Sequence, residues 1–119
     1  KRLTADASVA LFPSLSEGFG IALVELMACG LAPVAFNVGG PSDILGGSPT
    51  LRRLLVPGGD STAASAAVIH LCRDAETLKE AQAAAKVRAS EFSWERAASA
   101  RLAVFEAAIA RRREAEDSQ

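Results

Sequence analysis

Two carboxylates eight positions apart, Glu17 and Glu25, bracket the run Gly18-Phe19-Gly20-Ile21, where a glycine-bearing loop gives way to an apolar segment. That pattern suits the binding of an anion. The first backbone N–H groups of a helix have no partner within the helix and sit at the positive end of its dipole, so an anion placed there gains hydrogen bonds and charge stabilisation together. Gly18 and Gly20 would let it approach the backbone closely. Glu25 is the only charge in the segment from Ile21 to Cys29 and so marks the face that is not buried. Eight residues of helix rise roughly 12 Å, enough for the two carboxylates to address opposite ends of one ligand.

A plainer reading of the same residues stands beside this one. Ser14 and Glu17 have the spacing of a capping box, in which Glu17 would only satisfy a backbone donor at a helix start. A helix beginning at Leu15 would, however, carry Gly18 and Gly20 in its opening turns at about 1 kcal/mol each relative to alanine. A start near Phe19 or Gly20 removes that cost.

The elements that must position these residues follow from the flanking sequence. Ser8 to Phe12 is a short apolar run stopped by Pro13, as expected of a buried parallel strand. A helix over Ile21 to Cys29 ends at Gly30, and Pro33 blocks its continuation before a second strand at Pro33 to Phe36. Strand, helix and strand joined so tightly predict a parallel pair with a right-handed crossover. Ligands of such sheets bind beyond the carboxyl ends of the strands. The loops Pro13 to Gly20 and Asn37 to Asp43 would share that edge. In the second loop Gly39 and Gly40 offer either another close approach to ligand, with Asp43 nearby, or a turn leading into a capped helix.

Further along, Gly46-Gly47-Ser48-Pro49 has turn chemistry, and Leu54 to Val56 supplies a third strand ended by Pro57-Gly58-Gly59. Asp60 or Ser61 caps a helix over Thr62 to Arg73. Two more helices are expected over Ala75 to Glu91 and Trp94 to Arg113, with Phe92 and Trp94 pinning the last to the core and residues 114–119 frayed. Lys1 to Ala7 completes a helix or turn. His70 has no catalytic partner nearby and is expected to be structural or solvated. Arg111-Arg112-Arg113 complements a helix C-terminus better than it attracts a membrane, because acidic residues follow at once.

The chain has 119 residues, half of them hydrophobic, which suits one domain burying roughly two thirds of its unfolded surface. A net charge of -1 and an isoelectric point near 5.8 make no electrostatic case for nucleic acid. No apolar run approaches the roughly 20 residues of a membrane span, and the start has no secretory signal, so an intracellular, cytoplasmic protein is expected. Cys29 and Cys72 lie far apart with no histidine at ligand spacing; they suggest neither zinc nor a disulfide and are expected to be reduced core residues. The sequence opens without methionine and reads as a piece of something longer.

The run from Glu17 to Glu25, flanked by Pro13-Ser14 and by Met27 to Val34, resembles the E-x7-E signature of retaining glycosyltransferases of family 4, which have the GT-B fold. Gly39-Gly40-Pro41-Ser42-Asp43-Ile44 is similar to the family's GG-x-x-E segment, with Asp43 in place of the commoner glutamate. The similarity continues through Leu55-Val56-Pro57, Asp60 and Phe92-Ser93-Trp94, so nearly the whole chain is covered. The resemblance implies a Rossmann-like three-layer α/β/α fold with a short parallel sheet and trailing helices, residues 1–119 forming part of the C-terminal, donor-binding domain. It implies that Glu17 contacts the donor sugar as the catalytic carboxylate and Glu25 the ribose. Gly18, Phe19, Gly20 and Ile21, with Gly39 and Gly40, would hold the rest of a nucleotide-diphosphate sugar. No metal and no cofactor is implied. The partner would be an acceptor-binding N-terminal domain absent from this chain, without which the fragment should transfer nothing; peripheral membrane contact would come through the parent protein. Two alternatives stand: a noncatalytic Rossmann-like module that binds nucleotide or docks a domain, its apolar edges favouring a homo-oligomer, and another GT-B enzyme such as a nucleotide-sugar epimerase.

Overall fold

A computed structural model describes residues 4–117. The chain is mixed α/β. Strand β1 (Val9–Phe12) leads through a loop into α1 (Ile21–Ala28), then β2 (Ala32–Phe36), α2 (Gly39–Gly46), the single turn α3 (Pro49–Arg52) and β3 (Leu55–Val56). Three helices follow: α4 (Ser61–Arg73), α5 (Ala75–Ser90) and α6 (Trp94–Asp117). The strands form one parallel sheet in the order β1-β2-β3, with Val9 opposite Ala32, Phe12 opposite Ala35 and Phe36 opposite Val56. Every residue of β2 is buried, as befits the central strand of a parallel sheet covered on both faces. Because all strands point one way, the loops after β1 and β2 emerge at the same edge.

Local chemistry sets the helix limits. After α1, Leu31 N–H donates to Leu26 O at 3.2 Å and Gly30 N–H to Met27 O at 2.9 Å, the paired bonds that close a helix through a left-handed glycine. Asp60 starts α4 by accepting from Ala63 N–H at 2.8 Å. Asp74 starts α5 by accepting from the N–H groups of Glu76 and Thr77 at 3.1 and 3.0 Å, and Thr77 Oγ1 adds a third bond at 2.8 Å. Ser93 accepts from Arg96 N–H at 3.1 Å at the head of α6. Each satisfies a donor that the helix itself leaves free.

The core joins Leu23 and Met27 of α1, Val34 of β2, Ile44 and Leu45 of α2, Leu51 and Leu71, all fully buried. Helix α5 contributes Ala81, Ala85 and Ala89, one per turn on one face. Residues that small let its backbone lie close to α1 and β2.

Several expectations need correction. Asn37 to Asp43 is not a loop throughout, since α2 begins at Gly39; Val38 at its head lends no side-chain cap, which is why the sequence did not announce the start. The single turn α3, headed by Ser48, was also unmarked. Cys29 and Cys72 are exposed, not core: one lies just past the end of α1, the other beside buried Leu71 on the outer side of α4. Phe92 does pack on the core, but Trp94 is 79% exposed and pins nothing. Side chains from Trp94 to Ala115 are all exposed, and α6 runs to Asp117 where fraying from residue 114 was expected. Of the N-terminal stretch, Thr4 to Asp6 is a turn and residues 1–3 lie outside the described residues, as do 118–119. Among the described residues no helix is long and apolar enough to cross a membrane.

The Asp74 cap carries a pH signature. Its carboxyl lies below the ordinary value of 3.8, chiefly because the Thr77 N–H and then the Thr77 hydroxyl bond its charged form. A depressed folded-state value means the cap's contribution is fully present above the unfolded value and is lost as pH falls through the folded one. In thermal melts from pH 6 to pH 3 the parent should lose more stability than Asp74→Asn, whose uncharged amide still caps; parallel losses would refute the assignment.

Candidate functional site

The loop between β1 and α1 passes into the helix at Gly20, whose φ of 97° and ψ of 49° lie in the left-handed region that only glycine adopts easily. No side chain caps α1. The first helical bond is Val24 N–H to Gly20 O at 3.2 Å, which leaves the amides of Ile21, Ala22 and Leu23 without an acceptor among the described residues. The capping-box reading of Ser14 and Glu17 is therefore not the one the chain adopts. Glu17 is half-buried, and its side chain folds over the helix start, with Cγ 3.6 Å from where a Cβ on Gly20 would lie. Among the described residues its carboxylate makes no hydrogen bond or ion pair.

The second loop is pressed against the first. Gly40 N–H donates to Glu17 O at 3.1 Å. A Cβ on Gly40 would overlap the Phe19 carbonyl, and one on Gly39, where φ is +40°, would overlap the Glu17 carbonyl oxygen. The glycine pair thus locks the backbone of Glu17 and Phe19 in place. Asp43 lies further on, exposed on α2.

Glu25 sits on the exposed side of α1, again without a hydrogen bond or ion pair among the described residues. It lines an open cleft of about 700 Å³ between α1 and the start of α6. Of the residues singled out in the sequence, Phe19, Ile21 and Glu25 line this cleft, whereas Glu17, Gly18, Gly20, Gly39 and Gly40 do not. Glu17, Gly20, Gly39 and Gly40 meet where the two loops touch. Phe19 belongs to both groups. Its ring meets Phe92 edge-on, with centroids 5.7 Å apart and planes at 71°.

One residue escaped notice in the sequence. Arg88, near the end of α5, donates to Ile44 O at 2.8 Å and to Asp43 O at 3.0 Å, satisfying carbonyls of α2. Its guanidinium lies 4.6 Å from the centroid of Phe92 and pairs with Glu91. Through Phe92 it braces Phe19, so one cation ties α2, α5 and the loop together. The only trace in the sequence is an arginine four residues ahead of an aromatic. His70 is exposed on α4. Among the described residues no group of three or more His, Cys, Asp or Glu side chains is arranged to hold a metal ion.

A glycine-built loop after a parallel strand, an uncapped helix start and an unpartnered acid on the same helix define a Rossmann-like α/β domain with its candidate site at the carboxyl edge of the sheet. Residues 1–88 match the family model described as glycosyl transferases group 1, and the chain belongs to that family. It is 37% identical over 110 residues to the MMP alpha-(1->4)-mannosyltransferase of Mycolicibacterium hassiacum, covering 92% of this chain and 26% of that protein. It is 34% identical over 104 residues to the D-inositol 3-phosphate glycosyltransferase of Paenarthrobacter aurescens, covering 87% and 25%. To the O-antigen chain mannosyltransferase B of Escherichia coli it is 32% identical over 93 residues, covering 78% and 23%. The chain spans about a quarter of the length of these curated relatives.

Two substitutions test the scaffold. Gly40→Ala should destabilise by about 3 kcal/mol or more, since a Cβ there meets backbone that cannot move aside. Gly46→Ala, with nothing within 4 Å, should be neutral or stabilising by up to about 1 kcal/mol; equal effects in urea unfolding would contradict the loop contact. Arg88→Ala should cost about 1.5–3 kcal/mol by leaving two carbonyls unpaired, and Arg88→Lys should restore little, because an ammonium lacks the planar fork and the stacking face.

Proposed function

We propose that this chain is the donor-binding part of a retaining glycosyltransferase of family 4 and GT-B architecture, which moves a sugar from a nucleotide-diphosphate sugar to an acceptor without a metal. Membership of the glycosyl transferases group 1 family and the relatives' names, two of them mannosyltransferases, support sugar transfer. One structural observation carries the finer reading: α1 starts at a left-handed glycine with three unbonded amides, and a half-buried, unpartnered carboxylate lies over that start.

In this reading the diphosphate rests on the amides of Ile21 to Leu23, where the helix dipole favours negative charge. As the bond from the anomeric carbon to the diphosphate oxygen breaks, charge grows on that oxygen and meets donors already aimed at it, which costs no reorganisation. Glu17 faces the sugar, orienting it and offsetting the positive charge that develops at the anomeric carbon. Glu25 accepts hydrogen bonds from the ribose. Gly18, with open space beside it, lets the donor come close to the backbone, and Gly39 and Gly40 hold the loop that carries Glu17 in place for it. The acceptor would be held by the larger part of the protein that the relatives' length implies.

Calorimetric titration of this chain with nucleoside diphosphates should show binding that Glu25→Ala weakens at least tenfold. In the longer protein Glu17→Ala should abolish transfer with the fold intact by circular dichroism, and residues 1–119 alone should transfer nothing. Turnover unchanged by Glu17→Ala, or transfer by the isolated chain, would overturn the assignment.

A further inference from the structure

The last turn of α2 ends in carbonyls that have no donor within their own helix, and the residue that meets two of them comes from another element. Arg88 of α5 donates through Nε to Ile44 O at 2.8 Å and through Nη2 to Asp43 O at 3.0 Å, while its Nη1 pairs with Glu91. Three nitrogens with three acceptors fix the plane of the guanidinium. That plane lies over the Phe92 ring, 4.6 Å from its centroid, and the Phe92 ring in turn meets Phe19. The seat is made by a glycine: a Cβ on Gly47 would overlap the Arg88 guanidinium. The Arg88 side chain is only 19% exposed. Taking a cation out of water is costly, and a well-packed apolar side chain in its place is often at least as stable. What an apolar side chain cannot supply is direction, because apolar contact is indifferent to angle and N–H bonds are not.

Both sides of this arrangement reach the loop that carries Glu17. Through its bonds to α2, Arg88 holds the helix whose first residues, Gly39 and Gly40, press on the carbonyls of Glu17 and Phe19. Through Phe92 it holds the Phe19 ring. Phe19 stands in the chain between Glu17 and the free amides of Ile21 to Leu23. Resting on the donor-site reading above, we propose that Arg88 is a positioning residue for the donor. It acts through the loop and not by touching the donor: clamped from two directions, the backbone around Phe19 keeps the Glu17 carboxylate and the amide cradle at a fixed separation. Gly47 is part of the same device, since it lets the guanidinium in. Lysine cannot replace Arg88 here, because an ammonium has neither the planar fork for two carbonyls nor a flat face for the ring.

Uridine and guanosine diphosphates, titrated by calorimetry, should bind at least fivefold more weakly to two variants. Arg88→Met keeps the bulk and loses the direction; Gly47→Ala leaves Arg88 in the chain and denies it its seat. The double variant should bind no worse than the weaker single one, because both changes remove the same clamp. Amide exchange separates positioning from stability. In both variants Gly40 N–H, bonded to Glu17 O, should exchange at least fivefold faster relative to Ala35 N–H, bonded to Leu54 O in the sheet. Ala66→Gly, exposed on α4, loosens the fold away from the site and should change neither the affinity nor that ratio. If Arg88→Met does not fold by circular dichroism, Gly47→Ala decides. Unchanged affinity in the folded variants, or weaker binding with the Gly40 ratio unmoved, overturns this inference and leaves the donor-site reading standing. If the parent binds neither diphosphate, both fail.

Discussion

One backbone contact fixes the candidate site: the Gly40 N–H on the carbonyl of Glu17, made across two loops with no room for a side chain between them. Everything nearby takes its place from that contact. It sets the path of the first loop, which sets the left-handed turn at Gly20, which in turn aims the free amides of α1 past the sheet edge. The parallel order of β1, β2 and β3 brings both loops to that edge, and the buried central strand keeps them there. Catalysis by positioning and fixed dipoles needs such a frame, because groups that must first be ordered give back part of what they stabilise.

Much of this was legible in the sequence. The three strands, the crossover helix and the long helices after Asp60 fell close to their observed limits because their signals are local: a proline after an apolar run, a glycine after a helix, an aspartate before one. Where the signal was not local, the reading was incomplete. Helix α2 starts on a glycine pair with no side-chain cap, so it looked like loop. The second role of Gly39 and Gly40, accommodating the first loop's carbonyls, depends on residues some twenty positions away. Arg88 is invisible for the same reason, since its meaning lies in two carbonyls 44 and 45 positions distant.

The carboxylates show how far spacing can lead. Their separation predicted a loop and a helix face, and the chain places them there. It also predicted one ligand reached from two ends, yet the acids lie in neighbouring settings, Glu17 over the helix start and Glu25 in the cleft along its side. Phe19 joins those settings, braced by Phe92 and Arg88. The aromatic pair was expected to anchor the last helix. In the fold Phe92 steadies the loop through Phe19, while Trp94 and the side chains after it as far as Ala115 stay solvent-exposed.

Because main-chain atoms hold the two loops together, the shape of the amide cradle is nearly independent of which side chains decorate it. Substitutions at Ile21 or Ala22, both exposed, alter what hangs over the cradle and leave its donors where they were. Divergence towards new substrates can thus proceed by exchanging ornaments around a fixed frame, whereas a methyl group added at Gly39 or Gly40 would displace the frame itself.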